Sequence, residues 1–378
     1  MKALVLGKGK SGEASAALLR SRGYEVDLAE GYDLVVASPG LPVKSELQLG
    51  CEELKRRGWK LLAVTGSKGK SSVVKLVAEA LGGVPCGNYG LPVCEVAFPH
   101  SNTRTIEQSD NSPWAVVEVS SFQLETTNLP PDTFEAAAVL NLQEDHLDRH
   151  GCVEVYHGLK RKLLAMTRRP VFAPEPTEAD LALLRGSYFD NAVLRENGLC
   201  AIALMRAAGL DEAHIARTFA TFEPLPHRMN LVAEIDGVRY VDDSKATSLA
   251  ALAAGVQMAA SLNSRTIEQP SKRTLLLIAG GLPKGDDPKS VLPILTRWVK
   301  KVYLIGQSAE AFFAAWNGAV DCEICGTMER AVAKAKREAE KGETVLLSPG
   351  TASFDQFKSY GERGEVFARL VKEKGQPK

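Results

Sequence analysis

Short apolar runs, many of them rich in β-branched residues, alternate with longer amphipathic stretches along almost the whole chain. Residues 3–6, 34–37, 61–64, 115–119, 136–140, 238–241, 275–279, 302–305 and 345–347 have the length and composition of buried strands. Between them, 12–22, 45–57, 72–81, 200–208 and 328–340 carry the apolar stripe of helices. Nearly continuous apolar strands alternating with helices predict an α/β protein with parallel sheets, and more than one of them.

The breaks in this pattern suggest three domains. Residues 58–60 separate a helix from the strand at 61–64, and the proline-rich 222–227 follows another helix. The expected division is 1–58, 59–223 and 224–378. Two polar, aperiodic segments, 99–113 and 261–273, read as inserted surface loops. They share a near-identical string, Thr103-Arg104-Thr105-Ile106-Glu107-Gln108 and Ser264-Arg265-Thr266-Ile267-Glu268-Gln269. That repeat has no physical account and is too short for a solenoid.

Composition removes several function classes. In 378 residues, 46 Lys+Arg balance 46 Asp+Glu, so the basic footprint of a nucleic-acid binder is absent. No apolar run approaches the length of a membrane span. The N-terminus is too quickly polar for a signal peptide and reads as a first strand, which points to a cytoplasmic protein. Seven scattered cysteines do not form a disulfide framework, and the Cys322-x-x-Cys325 pair has no second pair to complete a metal site, so ordinary packing is expected.

The chemistry concentrates where strands end. The run Ala63-Val64-Thr65-Gly66-Ser67-Lys68-Gly69-Lys70-Ser71-Ser72 places a loop of small residues between a strand and a helix. Amides around Gly66 and Gly69 can wrap phosphate oxygens, Lys70 can neutralise charge, and Ser71 can reach a nucleotide-bound cation. The spacing is not that of Walker A, because the glycine four residues before Gly-Lys-Ser is missing. A second glycine cluster, Gly7-x-Gly9-x-x-Gly12, follows the first strand, with Glu30 after the next. It fits a dinucleotide turn, a nucleotide-sugar pocket or a tight turn without a ligand.

Further along, Glu118 ends a strand, where it could hold Mg²⁺ or cap the following helix. His146, in Glu144-Asp145-His146, could ligate a metal, bind phosphate or sit on the surface. Tyr156 and Lys160 share a helix face, and a lysine there is ordinarily a surface residue. Three polar loops follow the strands ending near Val241, Ala279 and Leu347. At adjacent parallel strand ends, their Lys245, Thr247, Lys284 and Ser353 would form an anion pocket suited to a carboxylate substrate.

Taken in order, the strings at 65–72, 118–125, 144–149, 225–228, 243–247 and 348–363 resemble the ATP-dependent Mur ligases. The runs Ser120-Ser121-Phe122-Gln123-Leu124-Glu125 and Ser353-x-Asp355-Gln356-Phe357-Lys358 are typical of the members that add D-glutamate. The resemblance implies a short Rossmann-like N-terminal domain for the UDP-substrate, a central P-loop-type ATPase domain and a Rossmann-like C-terminal domain for the amino acid. It implies a monomeric enzyme of peptidoglycan precursor synthesis, and so of cell shape and division. Its substrates would be ATP, UDP-N-acetylmuramoyl-L-alanine and D-glutamate.

Site residues carry over from the same resemblance. Gly66, Ser67, Lys68, Gly69, Lys70, Ser71 and Ser72 would cradle ATP phosphates, with Asn197, Arg228 and Asp243 on the adenosine side. Ser71 and Glu118 would hold one Mg²⁺. His146, with Lys160 as a carbamate, would help hold a second. Lys10, Ser11, Gly40, Asn88 and Ser121 would meet the UDP-substrate. Thr247, Lys284, Ser353 and Tyr360 would surround D-glutamate. Lys70, His146, Lys160 and Lys245 would carry the catalysis, and domain closure would bring the C-terminal lysines to the phosphate loop. The sequence departs from the family pattern in having Lys68 for Asn and Ser72 for Thr in the loop, Tyr360 for Phe, and only Asn197 of a His-Asn-x-x-Asn segment. It is also shortened between Glu30 and Leu61 and between Thr167 and Asn191. The other readings are a ligase with a different amino-acid acceptor and a non-catalytic nucleotide-sugar-binding protein.

Overall fold

A computed structural model describes residues 1–30, 44–98, 113–144, 146–263 and 273–373. The strand expected at 34–37, Gly40 and both copies of the repeated string lie outside the described residues. The chain forms two compact units, Met1–Asp190 with Leu194–Phe222, and Asn191–Val193 with Glu223–Lys378.

Among the described residues, the first unit holds two parallel sheets. β1 (Lys2–Leu6) and β2 (Glu25–Ala29) form a two-stranded one. In the turn after β1, a side chain at Gly12 would strike the Gly7 carbonyl at 1.7 Å, so the helix Lys10–Ser21 closes tightly on the strand. The second sheet contains β3 (Lys60–Thr65), β4 (Val84–Gly87), β5 (Trp114–Glu118), β6 (Ala136–Val139) and β7 (Pro170–Phe172), ordered β4-β5-β3-β6-β7. All its neighbours pair in parallel. β3 and β6 are buried almost end to end, which explains their unbroken apolar sequences. Because β3 lies between β5 and β6, its phosphate loop is flanked by the loops that follow both. This is the crevice at the carboxyl ends of a parallel sheet.

The second unit is one six-stranded sheet. Its strands are β8 (Asn230–Ile235), β9 (Val238–Asp242), β10 (Leu275–Gly280), β11 (Val299–Ile305), β12 (Asp321–Gly326) and β13 (Thr344–Leu347), ordered β12-β11-β10-β13-β9-β8. Only β8 runs antiparallel, through a hairpin whose Asp236 and Gly237 both have positive φ, as a two-residue primed turn requires. Leu275, Leu277 and Ala279 pack on one face, and Leu276 and Ile278 on the other. Cys322 and Cys325 are likewise split between the two faces of β12, so packing accounts for them; all seven cysteines are free. The helix Leu249–Asn263 escapes the sequence pattern because it is apolar all round, with Leu252, Val256 and Ala259 fully buried. No helix among the described residues is long and apolar enough to cross a membrane.

Candidate functional site

In the first unit the phosphate loop is pinned to the segment that follows β6. Ser67 N–H donates to the Asn141 carbonyl (3.0 Å) and Lys68 N–H to Asn141 Oδ1 (2.9 Å). Asn141 Nδ2 donates back to Lys68 O (2.8 Å) and across to Asn197 Oδ1 (2.9 Å). Ser67 Oγ joins Gln143 through both its N–H and its carbonyl, at 2.9 and 3.0 Å. Gly69 caps the helix Lys70–Leu81 in the left-handed region, at φ +82°. Any Cβ there would meet Asn197 Nδ2 at 2.0 Å, so glycine is required twice over. A helix N-terminus directed at the sheet crevice is suited to anions.

Two lysines meet at this loop. Lys70 Nζ donates to the carbonyls of Gly66 (2.9 Å) and Ser67 (3.1 Å). Lys160 Nζ donates to the same Gly66 carbonyl at 2.8 Å. Lys160 is not a surface lysine; it is 1% exposed, and its ammonium lies 4.6 Å from the centre of the Tyr156 ring. Tyr156 itself donates to Ser67 Oγ at 3.2 Å. The structure thus joins Tyr156, Lys160 and the loop, which the sequence could show only as one helix face.

On the other flank, Glu118 ends β5 and is 2% exposed. Asn88 Nδ2 donates to Glu118 Oε1 at 2.7 Å, whereas the buried Oε2 has no hydrogen-bond partner among the described residues. A buried carboxylate oxygen left in this way fits a divalent cation. No group of three His, Cys, Asp or Glu side chains suited to a metal occurs among the described residues, so a cation here would draw on other donors as well. Ser71, the second residue of the helix after the loop, is half-buried, and Ser72 is buried. His146 is exposed, in the left-handed region at φ 52°, with the Phe122 ring 5.1 Å away.

Ser121 is turned inward. It is 2% exposed, and His150 Nε2 lies 3.0 Å from its Oγ. Glu125 stands 3.3 Å from His150 Nδ1 and accepts from Arg149 at 3.2 and 2.8 Å, which holds its carboxyl below the usual range. Lys10 and Ser11 are exposed at the start of their helix, and Glu30 pairs at the surface with Lys8 at 3.4 Å.

The second unit gathers polar loops at the ends of β9, β10 and β13, which are neighbours in its sheet. Gly350 N–H donates to Ala246 O, and Leu282 N–H to Ala352 O, both at 2.9 Å. Arg363, fully buried, binds the assembly together. It donates to Ser244 Oγ (3.0 Å) and to the carbonyls of Ser244 (2.9 Å), Thr351 (3.2 Å) and Ala352 (3.2 Å). Burial pushes its guanidinium down to about 10. His227 Nδ1 lies 2.7 Å from Asp242 Oδ2, and Ser244 N–H donates to Asp242 Oδ1 at 2.9 Å.

Asp243 is buried beside Asp242 and accepts from Ser348 Oγ at 2.9 Å. Burial above all, with the Asp242 charge, pushes its carboxyl up to about 7 against the pull of Ser348 and Arg228. Lys245 Nζ sits 3.8 Å over the Tyr360 ring. Ser353 is buried, Thr247 half-buried and Lys284 exposed, two residues beyond the Leu282–Ala352 bridge. Asn141, Asp242, His227 and Arg363 are the principal residues whose part sequence reasoning missed. Only the position of Asn141 directly after a strand could have signalled its role.

Known proteins similar to this chain give it a family. Residues 64–173 match the Mur ligase middle domain, and 227–350 match the Mur ligase glutamate ligase domain. A UDP-N-acetylmuramoylalanine–D-glutamate ligase of Nitratidesulfovibrio vulgaris is 31% identical over 440 aligned positions, covering 98% of this chain and 95% of the relative. The ligase of the same name from Chromobacterium violaceum is 35% identical over 401 positions, covering 90% and 84%. Among solved structures, the MurF ligase of Thermotoga maritima in complex with ADP superposes with a TM-score of 0.60 at 15% identity, covering 98% of this chain and 93% of that one. The UDP-N-acetylmuramate–alanine ligase of the same organism gives 0.59 at 15% identity, covering 98% of both chains. Fold, phosphate loop and near full-length similarity converge, and the chain belongs to the Mur ligase family.

Proposed function

We infer that this protein is an ATP-dependent ligase that joins D-glutamate to UDP-N-acetylmuramoyl-L-alanine, releasing ADP and phosphate. The observation that carries the reading is similarity over nearly the whole chain, at 30–35% identity, to ligases bearing that name. The alanine carboxylate attacks the γ-phosphorus and ADP leaves. The amine of D-glutamate then attacks the acyl phosphate, loses a proton and expels phosphate as the amide forms.

Both partners in the first step are anions, so the chain must offset their repulsion. In this reading the 66–72 loop binds the triphosphate, and Lys70 exchanges the loop carbonyls for phosphate oxygens. Glu118 and Ser71 would hold one Mg²⁺, and His146 with a carbamylated Lys160 a second; bound there, the ions neutralise charge on the phosphates. Residues 1–58, with Lys10, Ser11 and Gly40, serve the UDP-substrate together with Asn88. Ser121 serves it by holding His150. Arg228 and Asp243 take the adenosine end of ATP. Lys245 serves on the phosphate or acyl side, Thr247, Lys284, Ser353 and Tyr360 take D-glutamate, and fixing its two carboxylates relative to the acyl phosphate supplies the orientation. The division at 59–223 and 224–378, Rossmann-like outer domains, a monomeric state and a cytoplasmic location belong to the same proposal.

The test is phosphate release from ATP with each substrate omitted in turn. Release should require both the UDP-muramoyl substrate and D-glutamate, and L-glutamate should support little. Equal release with L-glutamate or another amino acid would assign a different acceptor. Nucleotide-sugar binding without any release would make the protein a binder.

A further inference from the structure

We propose that Asp355 is a positioning residue for the amino-acid pocket: by tying the loop after β13 to the turn after β11, it fixes Ser353 relative to the segment that leads to Lys284. The inference rests on reading Ser353 and Lys284 as part of the D-glutamate site.

β10 lies between β13 and β11 in the sheet, so a bond from the β13 loop to the β11 turn must cross the end of β10. Asp355 makes that bond, its Oδ2 accepting the Gln307 N–H at 2.9 Å. Gly306 lies against the same oxygen, in the left-handed region at φ +68°, and a Cβ there would strike Oδ2 at 2.2 Å. The β11 turn is fastened to the β10 turn by two bonds. Ser308 N–H donates to the Gly281 carbonyl at 2.9 Å, and Gly281 N–H donates to Ser308 Oγ at 3.0 Å. The β10 turn then returns to the β13 loop, where Leu282 N–H donates to the Ala352 carbonyl at 2.9 Å. These ties close a circuit, from Ala352 to Leu282, Gly281 to Ser308 and Gln307 to Asp355. Ser353 stands in the short stretch between its two ends, and its carbonyl accepts the N–H groups of Gln356 and Phe357 at 3.2 and 2.9 Å. Lys284 follows two residues after Leu282.

Asp355 keeps this place at a cost. Its Oδ1 is buried and has no hydrogen-bond partner among the described residues, an arrangement that calls for a compensating role. Phe354, between Ser353 and Asp355, is 70% exposed, so its side chain adds little packing to hold the loop. The Asp355 bond is what fastens this stretch to β11. A pocket that grips one small molecule from two loops needs those loops at a fixed separation before the ligand arrives; otherwise part of the binding energy goes into ordering them.

The experiment measures steady-state phosphate release in wild type, Asp355→Ala, Asp355→Asn and Ser308→Ala, varying each substrate in turn, with melting temperatures alongside. Asp355→Ala should raise KM for D-glutamate about ten-fold, the scale of one lost hydrogen bond to a carboxylate. Its kcat, and its KM for ATP and for the UDP-substrate, should stay within about two-fold of wild type, as loss of binding to one substrate alone requires. Asp355→Asn keeps an acceptor for the Gln307 N–H and should hold KM for D-glutamate within about three-fold of wild type. Ser308→Ala removes the acceptor for the Gly281 N–H at another joint of the circuit. It should raise the same KM about five-fold, and it serves if Asp355→Ala does not fold. A fall in kcat or melting temperature with KM for D-glutamate unchanged, an equal rise in all three KM values, or an asparagine variant as impaired as the alanine one would overturn the inference. Phosphate release from wild type that does not depend on D-glutamate would instead overturn the acceptor reading beneath it.

Discussion

The two units hold their buried charge differently. In the first, Lys70 and Lys160 share the Gly66 carbonyl, and Glu53, 1% exposed, is held by three arginines, Arg22, Arg56 and Arg57. In the second, acids stand side by side, Asp242 against His227 and Asp243 against Ser348, with Arg363 spending its donors on carbonyls and one hydroxyl. The first arrangement leaves positive charge that an anion can recruit by displacing a carbonyl. The second is a closed network of acids and an arginine that holds loops, and the lysines of that unit able to meet an anion, Lys245 and Lys284, are half-buried and exposed. Recruiting a phosphate and holding a shaped pocket therefore make different demands on the sequence.

The sharpest way to break this contrast is to remove the recruitable cation. Lys70→Ala should lower ATP-dependent phosphate release by at least about a hundred-fold, as loss of a group that neutralises developing charge does. Its melting temperature should stay near that of wild type, because the Gly66 carbonyl keeps Lys160 as a donor. Normal turnover in this variant would end the phosphate-loop reading.

The second unit should fail in the reverse order, stability first. Arg363→Met leaves the carbonyls of Ser244 and Thr351 short of a donor in a buried site, at about 1–3 kcal/mol for each group left unsatisfied, while Ala352 O keeps the Leu282 N–H. Amide hydrogen exchange should accelerate in 243–247 and 348–353 and remain at wild-type rates in 60–72. Unchanged protection of the second unit would show that the guanidinium is dispensable to its loops.

This difference also explains what could be read from the chain. The loop at 66–72 is contiguous, and the glycines, lysine and serines that make it stand in one string. The strands β3, β5, β6, β10 and β13 announce themselves because they are buried on both faces. The edge strands β8 and β12 do not, since neither is an unbroken apolar run: Glu234 interrupts the one, and Asp321 and Glu323 the other. The helix Leu249–Asn263 has no polar face to give it a period. Asn141 reaches Lys68 only because β6 lies beside β3, an adjacency set by sheet order and invisible in local sequence. Arg363 sits in an amphipathic helix, where an arginine ordinarily faces solvent, and its burial follows from packing over the ends of β9 and β13. The second site is thus legible as three polar loops, and its organising residue is not.

The smallest effect, and the one that separates the units most finely, is their response to pH. Burial pushes the folded Asp243 carboxyl up to about 7 from an ordinary value near 4, so between those values the folded chain holds a proton that the unfolded chain has released. Stability from this group therefore declines as pH rises from about 4 to about 7 and is level above that. Glu53 works the other way. Hydrogen bonds from Arg56, Arg57 and Arg22 hold its carboxyl far below the usual range, so its contribution is present above the ordinary glutamate range and is lost as pH falls. Asp243→Asn should flatten the neutral-side slope in unfolding measurements while leaving the acid-side loss in place, and Glu53→Gln should do the reverse. If Asp243 accepts ribose hydroxyls as a carboxylate, nucleotide affinity in the wild type should rise through pH 7 while stability does not, and the asparagine variant should show a flat affinity. A wild-type affinity that is itself flat across pH 6 to 8 would leave the buried acid its hydrogen bond to Ser348 and remove it from the nucleotide.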